Sequence, residues 1–340
     1  MTLQVGPWHG PPGEWDALVR AQAGWTHFHL AGWREVMSTA LGHECPYLAA
    51  WEGDRLRGVL PLVRVRSLLF GHYLVSMPFV NYGGPLGDAA AVQGLVKEAA
   101  ALAERGGVKL LELRSRVELP LDLPVSHRKI TVVLDLPREA GTLWQALGSK
   151  LRSQIKRPQK EGFTARFGLD QVDPFYGVFA EHMRDLGTPA MPREFFRTIA
   201  RVFGDGAWFG CVYDKDRAIA CGAGFRWGDE VELTWASSLS AYNRSAPNML
   251  LYWAFMEHAI GAGVQLFNFG RCSPGAGTHR FKRQWGSRDQ QLWWYQLSRA
   301  GESGTPSPDE AKYRWGPRVW RKLPLPLATA LGPRIVRFIP

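Results

Sequence analysis

The chain has 340 residues, 46% hydrophobic and 21% charged, which is enough apolar material for substantial cores and points to two domains of a soluble globular protein. Forty-one Lys and Arg stand against 31 Asp and Glu, a formal charge of +10 that suggests an anionic partner: nucleic acid, a phosphorylated ligand or an acidic membrane surface. Cys45, Cys211, Cys221 and Cys272 are scattered without C-x-x-C or partnered His spacing, which argues against a zinc site or disulfide framework and for reduced cytoplasmic thiols. No run of about 18 apolar residues and no basic-then-apolar leader occurs, so a cytoplasmic protein that spans nothing is expected.

In chain order, YLAAWEGDRLRGVLPLVRV (47 to 65) alternates apolar and polar residues around Gly53-Asp54 and predicts a β-hairpin. A strand HYLVSMPFV follows, then a loop with Gly83 and Gly84, a helix from about Ala89 to Arg105 closed by Gly106-Gly107, and the strand VKLLELRS. The same order recurs later. WFGCVYDKDRAIACGAGFRWG (208 to 228) is a hairpin turning at Asp214 to Asp216, followed by the strand EVELTWASS, the loop LSAYNRSAPN, a helix from about Pro247 to Gly261 and the strand VQLFNFGR. The fold expected is α+β, two tandem domains each with a mixed β-sheet flanked by helices, bounded at 1–125 and 126–300 and followed by a basic, Pro-rich tail at 301–340. Hairpin, strand, loop, helix, strand is the order of the GNAT acyltransferase core, although other α+β domains share it.

Between the halves lies TLWQALGSKLRSQIKRPQKEGF (142 to 163). Thr142 and Gln145 read as a capping box, Leu143, Leu147, Leu151 and Ile155 recur at helical spacing, and Pro158 should stop or kink the helix. Arg152, Lys156, Arg157 and Lys160 fall on other faces with only Glu161 to balance them, so this is either a solvated helix face or a groove for phosphates. In the second loop, Tyr242, Asn243 and Arg244 precede a helix whose first turn holds Pro247 and Asn248, a position where free amides favour an anion. The coenzyme A signature R-x-x-G-x-G/A is not met: Ala246-Pro247-Asn248 stand where its glycines belong, which weakens a close pyrophosphate wrap.

FNFGRCSPGAGTHRFKRQWGS (267 to 287), preceded by YNRSAPNMLLYWAFMEHAIGAGV, resembles the FemAB-like proteins, especially the branch associated with exosortase and exopolysaccharide gene clusters. Members of that branch show P-N-x-L-x-W, then F-D-F-G-R-S, then G-T-x-x-F-K-x-x-W-G. FHLAGWREVMSTALGHECPYLAA, GVLPLVRVRSLLFGHYLVSMPFVNYGG, LRSQIKRPQKEG and RVWRKLPLPLATALGPRIVR also look like family positions, so the likeness covers nearly the whole chain. It implies tandem GNAT-like domains and transfer of an amino acid from aminoacyl-tRNA, or an acyl group from coenzyme A, onto the amine of a cell-envelope or exopolysaccharide precursor. No tightly bound cofactor, metal or DNA is implied.

Carried onto these residues, Lys282 matches the lysine of F-K and is expected to stabilise the oxyanion of the tetrahedral intermediate or to neutralise a donor phosphate, with Phe281 and Trp285 as its walls. A surface lysine in a basic loop is the alternative. Arg271 can clamp a phosphate or carboxylate, or form a structural pair. Ser273, Gly275, Gly277 and Thr278 form either a close-approach surface or a plain turn. Two departures stand out, because Asn268 replaces an acid and Cys272 a hydroxyl. Asparagine cannot act as a general base, so Glu232, or a self-deprotonating substrate, is left for that step, or position 268 only holds the loop. Cys272 as nucleophile and His279 as base rank behind ordinary loop roles. The tail from Lys312 to Pro340 has seven bases and no acid, and is read as packing back on the domains, with inner-membrane contact as a second option. A coenzyme A dependent enzyme and a non-catalytic binder of anionic glycolipid or RNA are the competing functions.

Overall fold

A computed structural model of the protein describes residues 2–67, 71–298 and 316–339. The chain forms two compact units, one from the described parts of Met1–Lys129, Gln291–Ala311 and Arg334–Pro340, the other from those of Ile130–Gln290 and Lys312–Pro333.

The first unit begins β1 (Leu3–Pro7), α1 (Pro12–Ala21), α2 (Gly32–Leu41), β2 (Leu48–Glu52), β3 (Arg55–Leu60), β4 (Val63–Ser67) and β5 (Gly71–Val75), then β6 (Leu86–Gly87), α3 (Ala89–Arg105), β7 (Leu110–Ser115) and β8 (Val125–Ser126). The second carries β9 (Ile130–Asp135), α4 (Ala140–Ala146), α5 (Ser149–Lys160), β10 (Thr164–Phe167), α6 (Val172–Leu186) and α7 (Arg193–Phe203). It continues with β11 (Ala207–Asp214), β12 (Arg217–Trp227), β13 (Glu230–Ser238), α8 (Pro247–Gly261), β14 (Leu266–Cys272), α9 (Gly277–Arg283) and β15 (Arg288–Gln291). β16 (Trp293–Ser298), α10 (Gly316–Trp320) and α11 (Leu325–Val336) close the chain.

The expected hairpins form. β2 and β3 turn through Gly53, whose φ of 59° a glycine adopts without steric cost, and β11 and β12 turn through Lys215-Asp216. The two long helices start and stop where their signals lie. Asp88 caps α3 by accepting from the Ala91 amide at 3.0 Å, and Pro247 opens α8. α3 buries Ala91, Val92, Leu95, Val96, Ala99 and Ala103 in a core shared with Leu48, Leu60, Leu74 and Leu111. Each large side chain of that face is worth about 1.5–3 kcal/mol of burial.

The α+β class with mixed sheets and flanking helices is what the chain adopts. The first unit, however, has two sheets where one was expected: β1-β2-β3-β6 and β4-β5-β7-β16-β8. Pro61 lies between β3 and β4, lacks the amide a ladder needs, and marks the change of sheet. The second unit has one seven-stranded sheet, β10-β11-β12-β13-β14-β9-β15.

A second correction concerns residues 142 to 163. The apolar spacing spans two helices, α4 and α5, because Leu147 is extended and Gly148 N-caps the second. Thr142 and Gln145 form no capping box, since Glu139 is the N-cap of α4 and Thr142 lies inside the helix, and Pro158 is accommodated in the last turn of α5. In the tail, α10 packs back on the end of α6 and α11 lies with Gly332 against Ala190, and residues 301–315 and 340 lie outside the described residues. Among the described residues no helix is long and apolar enough to cross a membrane.

Candidate functional site

The second unit's sheet contains a fork. β13 and β14 run parallel and pair only from Glu230↔Leu266 to Glu232↔Asn268. Beyond that point β13 continues along β12 as far as Ser238, and β14 along β9 as far as Cys272, so the two strands part. The register of β14 shifts between Asn268 and Arg271, where Gly270 sits at φ 72°. Two strands that part leave unpaired backbone groups, which need other partners.

Lys282 is one such partner. It lies on α9, only 7% exposed, and its ammonium donates to the carbonyls of Gly270 at 2.7 Å and Arg271 at 3.0 Å. An ammonium has three donors, and these two carbonyls take two of them. Burial pushes its pKa down to about 8, and Arg271 acts the same way, while Cys272 and Glu232 oppose the shift. The surface-lysine alternative is therefore overturned. Phe281 and Trp285 flank it in sequence and pack with Tyr252 of α8 and Phe269 of β14. Tyr252 is 4.9 Å from Phe281 and 5.7 Å from Phe269, ring to ring. The indole N–H of Trp285 is buried there without a hydrogen-bond partner among the described residues.

Asn268 and Glu232 are fully enclosed at the base of the fork. The Asn268 amide oxygen accepts from Thr131 Oγ1 at 2.5 Å and the Gly270 amide at 2.8 Å, and its nitrogen donates to Glu230 Oε1 at 2.7 Å. That arrangement explains the asparagine, because an aspartate here would set a second carboxylate against Glu230. Glu232 accepts from Thr234 Oγ1 at 3.0 Å, and its charge is felt at Lys282.

Arg271, half-buried, ends β14. Ser273 and Gly275 lie in the turn into α9 and Gly277 and Thr278 begin the helix, and His279 latches that turn by accepting from the Gly275 amide at 3.0 Å while facing Asp289 at 3.0 Å. His279 thus has a loop role. On the other side of the fork, Arg157 of α5 donates to the carbonyl of Arg244 at 3.0 Å, which joins the basic helix to the loop before α8. Arg152, Lys156, Arg157 and Lys160 line a groove of about 590 Å³ with Trp144 and Glu161, and Lys156 lies 5.6 Å over the Trp144 ring. Asn243 and Arg244 are exposed and Asn248 is half-buried in the first turn of α8.

Some predicted neighbours are not brought together. Tyr242 turns to the β11–β12 hairpin, with its hydroxyl 3.3 Å from Asp214, Arg217 over its ring at 5.8 Å and Phe163 at 6.1 Å. No contact among the described residues joins it to Lys282. The amides of Tyr242, Asn243, Ser245 and Ala246 are bonded to the carbonyls of Leu239, Ser240, Tyr242 and Asn243, so the loop is wound on itself. Tyr252, Glu230 and Thr131 were missed by sequence reasoning. The only signal for Tyr252 was its place in PNMLLYW, directly after the loop.

The first unit holds a parallel pair of the same kind, β5 and β7, ending at Val75↔Glu112. Here the chain after β5 closes the gap. The Ser76 amide donates to Glu112 O at 2.9 Å and the Gly83 amide to Arg114 O at 3.0 Å, while Ser76 Oγ takes the Arg114 amide at 2.7 Å. The Arg114 guanidinium is buried against Glu112 at 2.7 Å and reaches Val80 O at 3.3 Å. Counting from the last paired residue, Arg114 O corresponds to Gly270 O, so Gly83 does in the first unit what Lys282 does in the second.

Residues 149–283, from the first residue of α5 to the last of α9, match the family described as acetyltransferase (GNAT) domain. That span contains the basic helix, the fork and Lys282. Among solved structures, FemX is similar over 87% of this chain and 98% of its own, with TM-score 0.66 and 13% identity. L-PGS from Bacillus licheniformis matches with TM-score 0.56 and 12% identity over 92% of this chain and 98% of its own. A tandem GNAT protein from the clavulanic acid biosynthesis pathway matches with TM-score 0.53 and 15% identity over 89% and 100%. These likenesses bear on the fold. No curated protein matches the chain in sequence.

Proposed function

We propose that the protein transfers an acyl group, and specifically an aminoacyl group from a charged tRNA, onto the amine of a cell-envelope or exopolysaccharide-related precursor. The observation that carries this reading is the open fork of the second unit with the Lys282 ammonium at its mouth, set against the zipped pair in the first. In acyl transfer the amine adds to the donor carbonyl and the carbonyl oxygen takes up negative charge. The third N–H of Lys282 would meet that oxygen, or the donor's terminal phosphate, in a site where burial strengthens the interaction. Asn268 is a positioning residue with no proton to accept. Glu232 sustains the charge on Lys282, so the attacking amine must arrive neutral.

The choice of donor rests on two features. Four amides of the loop before α8, those of Tyr242, Asn243, Ser245 and Ala246, are spent on the loop's own carbonyls and are not available to wrap a pyrophosphate. The cations of α5, joined to that loop through Arg157, offer a track for a polyphosphate backbone. A coenzyme A thioester is the second reading, supported by the acetyltransferase match over 149–283. Arg271, Ser273, Gly275, Gly277, Thr278, Phe281 and Trp285 are assigned to acceptor and acyl contacts, and Tyr242, Asn243, Arg244 and Asn248 to the donor side. The reaction is placed in the cytoplasm.

The test is incubation of the protein with labelled aminoacyl-tRNA or labelled acyl-coenzyme A and a panel of amine acceptors, with products read by mass spectrometry. An aminoacylated amine from the tRNA donor alone is expected. Transfer only from the thioester would overturn the donor assignment, and transfer from neither would overturn the catalytic reading.

A further inference from the structure

We propose that the pair α10–α11, seated on the end of α6, is a docking surface for an anionic phospholipid bilayer. This inference is independent of the acyl-transfer reading. α10 rests on the last turn of α6: a side chain at Gly187 would collide with Pro317, Arg321 donates to Leu186 O at 3.2 Å, and Arg184 to Leu323 O at 3.4 Å. α11 is seated through one stripe four residues apart, Ala328 and Gly332. A Cβ on Gly332 would come within 3.0 Å of the Ala190 amide nitrogen.

With that stripe inward, Leu327 and Ala330 stand on the solvent side of α11. Leu327 is 45% exposed and Val319 on α10 is 53% exposed, and Leu186, the last residue of α6, whose carbonyl Arg321 holds, is 49% exposed. Pro324, Pro326 and Ala330 are exposed as well. Large aliphatic side chains in one neighbourhood of a soluble surface usually mark something that covers them.

Charge selects the occupant. Arg318, Arg321 and Lys322 are exposed in the same pair, and no acid occurs from Lys312 to Pro340. Asp185, the carboxylate at this corner of α6, is taken by Arg184 at 2.7 Å and the Ser240 hydroxyl at 3.0 Å. Aliphatic tips among unbalanced cations fit the interface of an anionic bilayer, where the tips enter the acyl boundary and the cations meet lipid phosphates. A protein partner with an acidic face would not need the aliphatic tips, and a nucleic acid would leave them in water.

The test is co-sedimentation of the full chain with vesicles of phosphatidylcholine alone and of phosphatidylcholine with phosphatidylglycerol. Binding to the anionic vesicles only, weakening with salt, is expected. Arg318→Gln with Lys322→Gln should lower partitioning roughly 10- to 30-fold, since each cation near such a surface contributes on the order of a fivefold gain. Leu327→Ser should lower it further and Leu327→Trp should raise it on the anionic vesicles alone, with an unchanged melting temperature and no pelleting without vesicles to separate insertion from misfolding. Equal binding to both vesicle types, or no effect of any of these variants, would overturn the proposal. So would a loss of tRNA retention by the charge variants with vesicle binding unchanged.

Discussion

Replacing Lys282 separates a chemical role from a structural one. Holding its pKa at about 8 rather than 10.5 corresponds to about 3 kcal/mol of penalty on the charged form in the folded chain. Lys282→Met removes that penalty but leaves the carbonyls of Gly270 and Arg271 without their donor, at about 1–3 kcal/mol each. The two effects nearly cancel, so the melting temperature should change little at neutral pH. Transfer should nevertheless fall about 10²–10³-fold, the usual loss when one oxyanion donor is removed. The sign of the pH dependence follows from the direction of the shift. Folded Lys282 gives up its proton near pH 8, so activity should decline through that value, and Lys282→Arg, which keeps its charge, should lose that limb. Because the unfolded chain holds the proton up to about 10.5, wild-type stability should gain on the Met variant from pH 8 upward. Single-turnover rates at saturating donor, measured from pH 6 to about 9.5 beside thermal melts, supply both readings. A Met variant that transfers within about threefold of wild type, or an unchanged upper limb in the Arg variant, would refute the reasoning.

Three other outcomes follow. Neutralising Lys156, Arg157 and Lys160 should flatten the dependence of log Kd on log salt by up to about 2 for a tRNA donor, and an unchanged slope would return α5 to a solvated face. Asn268→Asp should destabilise by about 1–3 kcal/mol at neutral pH, because the new carboxylate faces Glu230. Its folded pKa would be raised, so the loss should vanish as pH falls below about 4, as melts in acetate buffer would record. Trp285→Ala should cost about 3–5 kcal/mol in chemical denaturation by emptying the space beside Tyr252 and Phe269.

How far these features could be read from the sequence depends on whether their cause is local. α3 and α8 were legible to within a residue because Gly106-Gly107 and Pro247 are punctuation that acts on the adjacent backbone. The α4–α5 break was not, since Leu143, Leu147, Leu151 and Ile155 keep one spacing across two helices, and Gly148 alone carries the interruption. Nothing in WWYQLS indicates that it pairs with LLELRS of β7, because strand partners far apart in the chain leave no local mark. The basic run around FKRQWG reads the same whether its lysine is out or in. Only the flanking Phe281 and Trp285 hinted at burial. The closure of the first unit's parallel pair was also hidden, since it depends on Met77 and Phe79 taking φ values of 57° and 70° that non-glycine residues rarely adopt.

The most direct test of the central claim is a hydrogen–deuterium exchange footprint of the full chain with and without a non-hydrolysable aminoacyl-tRNA analogue. The account predicts protection of the second unit's fork and groove, residues 149–160, 232–248 and 266–285, with residues 71–84 of the first unit unchanged. Protection at 71–84 with none across the fork would contradict it.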